Sequence, residues 1–215
     1  MKFLKTKPIF MAISAPSGGG KTTVCNALLK AHPELRRAIT CTTRAPRGTE
    51  RDGIDYYFLS PEEFESKRQK GEFLEWANVY GNYYGTLKSE ILSRLKRGED
   101  VIVSVDVQGI ASIREQSYRD ESLRESLVTL FIALPGIGEL KARLAGRGTD
   151  SAEVIERRLN TAKAEMETCG GFDYILLSGT REEDFERAQA ILLCEKMKRV
   201  RLAEGELESF LNSFR

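Results

Sequence analysis

Short apolar runs alternate with segments of helical periodicity along most of the chain. Residues 9–14 form an apolar run that ends at a glycine-rich stretch. Residues 21–31 follow, with Val24, Leu28 and Leu29 on one face of a helix. This order predicts a buried strand, a tight loop and a helix at the start of the chain.

The same alternation continues in the second half of the chain. Apolar runs of strand length occupy residues 101–105, 127–134 and 173–177. Helical segments are predicted over residues 154–167 and 182–198. Strands that alternate with helices predict an α/β fold with a parallel sheet.

Three segments depart from this rhythm. Residues 40–97 hold five of the seven tyrosines, the one Trp and short strand candidates at 56–59 and 73–79, which predicts an inserted lobe. Residues 140–160 are rich in Arg and Glu around two glycines, which favours a mobile lid over a core segment. The charged tail from Met197 predicts a terminal helix.

Composition limits the classes of partner. The 215 residues carry a net charge of +1, which argues against binding nucleic acid or membrane through bulk charge. No apolar run approaches the roughly 20 residues that span a bilayer, and no signal peptide is evident, so we expect a cytoplasmic protein. The four cysteines lack CxxC spacing and the single His has no partner nearby, which predicts reduced thiols and no zinc site.

A phosphate-binding loop is predicted at residues 15–22, which read APSGGGKT. They match G-x-x-x-x-G-K-[ST] except that Ala15 stands at the first glycine position. Glycines let backbone N–H groups close around phosphate oxygens, and the next helix directs its dipole at the same anion. Lys21 would reach the β- and γ-phosphates and Thr22 would ligate Mg²⁺. A turn without a ligand is the alternative, but the strand and helix on either side favour the functional interpretation.

A second constellation lies between residues 40 and 56. Arg44 and Arg47 flank a proline, and paired guanidinium groups suit the dianionic phosphate of a nucleoside monophosphate. The alternative is a surface ion-pair cluster with Glu50 and Asp52.

Five motifs in order carry a resemblance to a known family. They are SAPSGGGKTT, TTRAPR, EWANVYGNYYGT, VDVQG, and GRGTD followed by RRL. In order and spacing they resemble guanylate kinase of the bacterial type along roughly residues 9 to 190. Many bacterial members of that family also have Ala at the first loop position, as here with Ala15.

The resemblance implies a P-loop nucleoside monophosphate kinase fold, with a parallel sheet core, an inserted GMP-binding lobe and a lid. The implied activity is reversible phosphoryl transfer from ATP to GMP, giving ADP and GDP, with Mg²⁺. The core is then formed by residues 1–39, 98–139 and 161–215, the GMP-binding lobe by 40–97 and the lid by 140–160.

The resemblance also assigns the substrate contacts. The implied partners are the small molecules ATP and GMP. ATP is expected to contact the phosphate loop: Ala15, Pro16, Ser17, Gly18, Gly19, Gly20, Lys21, Thr22 and Thr23. GMP is expected to contact the lobe and one core position: Thr40, Arg44, Arg47, Tyr56, Glu75, Tyr84, Thr86 and Ser104.

The chemistry of guanine supports the assignment of Glu75. Guanine presents N1–H and its 2-amino group side by side, and a carboxylate accepts both. Without the motif, a solvated strand residue would be preferred for Glu75. Family members usually have an acidic residue at the position of Ser104, so we expect a raised KM for GMP or relaxed base choice. The family often has Asn at the position of Ser178, near the adenine, which bears on the choice of donor.

For catalysis, the resemblance points to Lys21, Arg44, Arg147 and Arg158. Arg147 and Arg158 match the pair that clamps the transferring phosphate, with a solvated helix face as the alternative. Asp106 follows a predicted strand, where P-loop proteins place a carboxylate that holds Mg²⁺; its alternative role is a strand-end cap.

Two other functions stay open from the sequence. Guanylate-kinase-like domains also serve as protein-interaction modules, but those typically lack an intact phosphate loop. The kinase chemistry could also act on another monophosphate or a phosphorylated sugar. Glu75 with Thr86 favours guanine, whereas Ser104 keeps this alternative open.

Overall fold

The computed structural model describes residues 4–16, 18–79, 81–145 and 152–215. Within these ranges the strands are β1 (Phe10–Ser14), β2 (Arg36–Arg37), β3 (Cys41–Thr42), β4 (Tyr57–Phe58), β5 (Phe73–Val79), β6 (Asn82–Leu87), β7 (Val101–Ser104), β8 (Leu127–Ala133) and β9 (Tyr174–Leu177). The α-helices are α1 (Lys21–Ala31), α2 (Pro61–Gln69), α3 (Lys88–Lys96), α4 (Val107–Ser117), α5 (Glu121–Ser126), α6 (Ile137–Ala145), α7 (Ala152–Glu167), α8 (Arg181–Met197) and α9 (Glu206–Asn212).

The larger sheet is parallel, with the strand order β2-β7-β1-β8-β9. Strand β1 lies at its centre, between β7 and β8, and all five of its residues are buried. A strand buried on both faces needs apolar side chains in succession, which is why residues 9–14 lack polar alternation. The predicted parallel α/β sheet is confirmed.

Helices cover both faces of this sheet, because successive residues of each strand point to opposite sides. Met11 and Ile13 pack with Val24 and Leu28 of α1 in one apolar cluster. Phe10 belongs to the cluster on the other face, which helices α3, α4 and α5 cover. The loop after β1 and the loop after β7 therefore emerge side by side at the carboxyl edge, where open α/β sheets bind ligands.

A smaller mixed sheet, in the order β4-β3-β6-β5, is formed by residues between 41 and 87. Helix α2 packs on it through Phe64, whose ring stacks on Phe73 at 4.3 Å between centroids. Strands β5 and β6 are antiparallel, and Glu75 lies opposite Thr86. This hairpin places both side chains where the smaller sheet faces the core.

The terminal segment differs from the expected single helix. Helix α8 ends at Met197, a 3₁₀ turn occupies Arg199–Arg201, and α9 follows after Gly205. The Arg201 side chain is buried and donates to Glu195 at 2.7 Å. This ion pair turns the chain back against the core, where Thr6 bridges to Leu202.

Candidate active site

The loop between β1 and α1 has the backbone conformation that its glycines permit. Gly18 and Gly20 have φ values of 85° and 93°, in the left-handed region that side chains disfavour. Gly20 is the N-cap of α1, and no acidic residue lies in the first turn of that helix. The N-terminal N–H groups of α1 are thus directed at the loop without a competing carboxylate from their own turn.

Ala15 replaces the first glycine of the motif without opening the loop. Its side chain is completely buried. A Cβ atom added to Gly19 would lie 2.8 Å from the Cβ of Ala15 and 2.9 Å from the carbonyl oxygen of Pro16. The methyl group of Ala15 therefore fits only because residue 19 has no side chain.

Lys21 begins α1 and folds back over the loop. Its ammonium group donates to the carbonyl oxygen of Ala15. Burial lowers the pKa of Lys21, while Glu165 of α7 and Asp106 raise it. Both carboxylates are thus close enough to act on the ammonium group, and α7 approaches the phosphate loop.

The residues predicted to hold a metal are Thr22 and Asp106. Thr22 is exposed in the first turn of α1. Asp106 is the N-cap of α4, and its Oδ1 accepts from the Gly109 N–H at 2.7 Å. Among the described residues, none donates a hydrogen bond to Asp106 Oδ2. Asp106 therefore caps a helix, which resembles the alternative role given for it above, and one of its oxygens remains available. Hydroxyl and carboxylate oxygens are ligands that Mg²⁺ accepts.

One cleft brings together seven of the residues that the sequence singled out. It lies between the carboxyl edge of the larger sheet and the smaller sheet. Predicted site residues that line it are Lys21, Thr40, Tyr56, Glu75, Tyr84, Ser104 and Asp106. The cleft thus joins the phosphate loop to the lobe residues assigned to guanine.

Glu75 is a buried carboxylate at this cleft, with only 6% of its surface exposed. Its Oε1 accepts from the Thr86 hydroxyl at 2.6 Å. Burial raises the pKa of Glu75 to about 7, the Thr86 hydrogen bond lowers it and the charge of Asp106 raises it further. Thr86 is itself fully buried, so its hydrogen bond to the carboxylate is shielded from water.

Arg44 lies beside Tyr56, which lines the cleft. Its two terminal nitrogens donate to the two carboxylate oxygens of Glu50, each at 3.0 Å. Its guanidinium also lies over the Tyr56 ring, 5.4 Å from the centroid, and Tyr84 is close enough to help raise its pKa. Glu50 holds the pKa of Arg44 above its ordinary value. The ion pair with Glu50, given above as the alternative to a phosphate site, forms in this structure, and it holds the guanidinium beside the two tyrosines.

Three other residues that the sequence singled out do not line this cleft. The Arg47 side chain is exposed, and its backbone N–H donates to Glu50 at 2.7 Å. Arg158 is half-buried on α7. Ser178 is buried and donates to Asp184 at 2.7 Å. Ser17 and Arg147 lie outside the described residues.

The four cysteines are free thiols, with Cys25 and Cys41 buried, as the sequence predicted. Burial raises the pKa of each of these two to about 12, so both are neutral thiols. Among the described residues, no group of three His, Cys, Asp or Glu side chains could hold a metal ion. In the same part of the chain, no helix is long and apolar enough to cross a membrane.

Comparison with known proteins agrees with the set of side chains found in the cleft. Residues 5–195 match the sequence profile of the guanylate kinase family. The chain belongs to the guanylate kinase family. It is 41% identical over 198 residues to a guanylate kinase of Novosphingobium aromaticivorans, which covers 92% of this chain and 87% of that protein. A guanylate kinase of Halalkalibacterium halodurans is 40% identical over 200 residues, with 93% and 95% covered.

A solved relative agrees in fold. The crystal structure of guanylate kinase from Anaplasma phagocytophilum superimposes with a TM-score of 0.74 at 30% identity, covering 99% of this chain and 97% of that one. The resemblance drawn from the five motifs is therefore confirmed, as is the P-loop nucleoside monophosphate kinase fold. The chain is a guanylate kinase by family, a class of phosphotransferase.

Two glutamates have a larger role in the structure than the sequence indicated. Glu50 was named only as a surface ion-pair partner, yet it orients Arg44 through both of its oxygens. Glu165 was not singled out, although its charge raises the pKa of Lys21. Nothing in the local sequence distinguishes Glu165 from the other glutamates of its helix.

Proposed function

We propose that the cleft carries out the guanylate kinase reaction, ATP + GMP ⇌ ADP + GDP, with the acceptor bound between Arg44 and Glu75 and the donor on the phosphate loop. The observation that carries this proposal is the single cleft that contains Lys21 and the buried carboxylate of Glu75. A phosphate-binding lysine and a guanine-reading carboxylate in one cleft are what transfer to GMP requires.

The acceptor is recognised at both of its ends. The ionised Glu75 accepts from N1–H and the 2-amino group of guanine, a pattern that adenine does not offer. Arg44 lies over the Tyr56 ring, Tyr56 packs edge-on against Tyr84, and these three side chains donate to the phosphate. Arg47 adds a second guanidinium, since its side chain is exposed and free to turn toward the phosphate.

The donor is held by the loop of residues 15–23. Its backbone N–H groups surround the β-phosphate, and Lys21 exchanges the carbonyl oxygen of Ala15 for phosphate oxygens. The family resemblance assigns Arg158 and Arg147 to the transferring phosphate, which they would clamp. The phosphate of GMP is already an anionic nucleophile, so no side chain has to remove a proton.

Magnesium fits the residues at the carboxyl edge of the sheet. Thr22 supplies a hydroxyl and Asp106 a carboxylate oxygen that no described residue occupies. When bound, the ion neutralises charge on the donor phosphates. Asp106 itself holds the start of α4 in place and adds negative charge opposite Lys21.

A parallel assay of acceptors tests this function. ADP formation from ATP and Mg²⁺ is measured with GMP, dGMP, AMP, CMP and UMP. We expect strong turnover with GMP and little with AMP. Activity spread over all acceptors would contradict guanine selection, and binding of GMP without turnover would favour an interaction module.

A pair of lysine variants tests the phosphate loop. We expect K21A to lower kcat by about 10³-fold, because one charged donor to the transition state is removed. K30A changes a lysine that is exposed in the last turn of the same helix and should retain wild-type activity. Equal kcat values for the two variants would contradict the role of Lys21.

A further inference from the structure

A second cavity adjoins the guanine cleft and contains an arginine that the reaction described above does not use. Its lining includes Arg37 and Cys25. Thr40, Tyr56 and Ser104 line both this cavity and the cleft that holds Glu75. The two spaces are therefore neighbours across Ser104.

The sheet register directs Arg37 toward Ser104. Strand β2 pairs with β7 in parallel, with Arg37 opposite Ile102. Paired residues of parallel strands point to the same face, and Ser104 lies two residues beyond Ile102 on that face. Arg36, opposite Val101, points to the other face, and its guanidinium donates to the carbonyl oxygen of Pro33.

The charge of Arg37 is not neutralised by a neighbouring side chain. Within the described residues, no hydrogen bond or ion pair joins its guanidinium to another group. It lies close enough to the buried Cys25 to act on that thiol electrostatically. The other residues that line this cavity carry no charge, and they include the Cys25 thiol and the Ser104 hydroxyl.

Guanine has a second recognition edge beside the one that suits Glu75. Its O6 and N7 atoms are adjacent acceptors, and a guanidinium group binds them with two parallel hydrogen bonds. Adenine has an amino donor in place of O6, so the same guanidinium repels it on that side. A carboxylate on one edge and an arginine on the next would read four polar positions of guanine: N1–H, the 2-amino group, O6 and N7.

We infer that Arg37 is a specificity-determining residue that donates to O6 and N7 of the acceptor guanine. The inference rests on the proposed function of the cleft. Since Ser104 has no charge, Arg37 has no competing carboxylate at this position and is free to contact the base. Arg37 thereby supplies base recognition in a chain that has Ser104 instead of an acidic residue.

The test compares R37A with R36A, which removes the adjacent arginine on the opposite face. KM and kcat are measured with GMP, with AMP and with 7-deaza-GMP, which keeps O6 but lacks the N7 acceptor. For R37A we expect KM for GMP to rise about tenfold with kcat nearly unchanged. R36A should change neither value by more than about twofold.

The analogue separates base contact from a structural role. R37A should raise KM less for 7-deaza-GMP than for GMP, because one of the two hydrogen bonds is already missing. It should also reduce the preference for GMP over AMP about tenfold. Equal losses on GMP and 7-deaza-GMP, or R37A kinetics equal to those of R36A, would overturn the inference.

A methionine variant keeps the experiment informative if R37A does not fold. R37M keeps the apolar stem of the side chain and removes the hydrogen bonds, so it should repeat the kinetics of R37A. If the wild-type chain itself fails to phosphorylate GMP, the proposed function falls. If the wild type is active and R37M matches it on every acceptor, only the role of Arg37 falls.

Discussion

The hydroxyl of Thr86 donates a hydrogen bond of 2.6 Å to Oε1 of Glu75 across two antiparallel strands. Both side chains are buried, so the hydrogen bond is sheltered from water. Burial raises the pKa of Glu75 to about 7, although the Thr86 hydroxyl favours the ionised form. The carboxylate assigned to guanine is therefore half-protonated near neutral pH in the empty enzyme.

This titration predicts the pH dependence of GMP use. Only ionised Glu75 accepts both guanine donors, and its ionised fraction falls about tenfold per pH unit well below its pKa. We expect kcat/KM for GMP to rise with pH up to about 7 and to level off above that value. Steady-state kinetics between pH 5.5 and 9 measure it. E75Q should lose this rise and retain only what the phosphate of GMP contributes; an E75Q profile equal to wild type would contradict the prediction.

The same pKa predicts an effect on folding stability. The folded pKa of about 7 lies above the ordinary value of 4.5, so the folded protein binds more protons than the unfolded chain between these values. The stabilisation is complete below pH 4.5 and is lost as pH rises through 7, by up to about 3 kcal/mol. Urea denaturation without nucleotide at pH 5 and pH 8 measures it. The free energy of unfolding of E75Q, relative to that of wild type, should increase as pH rises. A difference between the two that does not change with pH would show that Glu75 is not desolvated.

Thr86 can be tested through the midpoint of the pH profile. T86A removes the hydrogen bond that lowers the pKa of Glu75, so the midpoint for GMP use should move to higher pH. T86S keeps the hydroxyl and should keep the midpoint. A T86A enzyme with a higher KM but an unchanged midpoint would mean that Thr86 contacts GMP without tuning Glu75.

The elements that the sequence predicted well are those fixed by local pattern. Residues 21–31 form the helix expected, because a glycine ends the loop before Lys21 and apolar side chains recur at helical spacing. Strands β2 and β3 were not predicted, since each has two residues and exists only through pairing with distant strands. Helix α2 was also missed, although Ser60 and Glu63 form a capping box that the sequence displays.

The parts of the site that could be predicted are those that belong to a sequence motif. The phosphate loop follows from spacing and local physics, whereas the role of Glu75 came from family resemblance, since a single acidic residue in a strand has no pattern of its own. The position of Arg37 beside Ser104 could not be predicted, because it depends on which strand pairs with β7. Long-range pairing of this kind is set by the whole core.

The Arg44–Glu50 pair predicts a role for Glu50 in acceptor binding. Glu50 holds both terminal nitrogens of Arg44 and also the Arg47 N–H, so E50Q should leave the guanidinium loosely placed. We expect KM for GMP to rise about tenfold with kcat changed only a few-fold. The matched control is E65Q, which breaks a similar two-bond pair with Arg68 on the surface of α2. A lower KM in E50Q would mean that the carboxylate competes with the phosphate of GMP.

The contacts around Gly19 predict that the phosphate loop has no space for a side chain at this position. In G19A the new methyl carbon would lie 2.8 Å from the Cβ of Ala15 and 2.9 Å from the backbone oxygen of Pro16, and neither atom is at the end of a flexible side chain. The loop must therefore shift, at a cost of about 1–3 kcal/mol in the free energy of unfolding. The shift should also weaken ATP binding by about tenfold or more, since it displaces the N–H groups of the loop. Urea denaturation and ATP titration measure both effects.

The double variant A15G/G19A shows where the strain originates. It removes the contact with the Ala15 methyl group and leaves the one with Pro16, so stability and ATP affinity should recover in part. G136A serves as the control, because a methyl group there meets nothing within 4 Å and should change stability by less than about 0.5 kcal/mol. If G19A binds ATP with wild-type affinity, the loop can change its conformation at little cost. The close contact between Ala15 and Gly19 would then not explain how this chain accepts alanine at the first loop position.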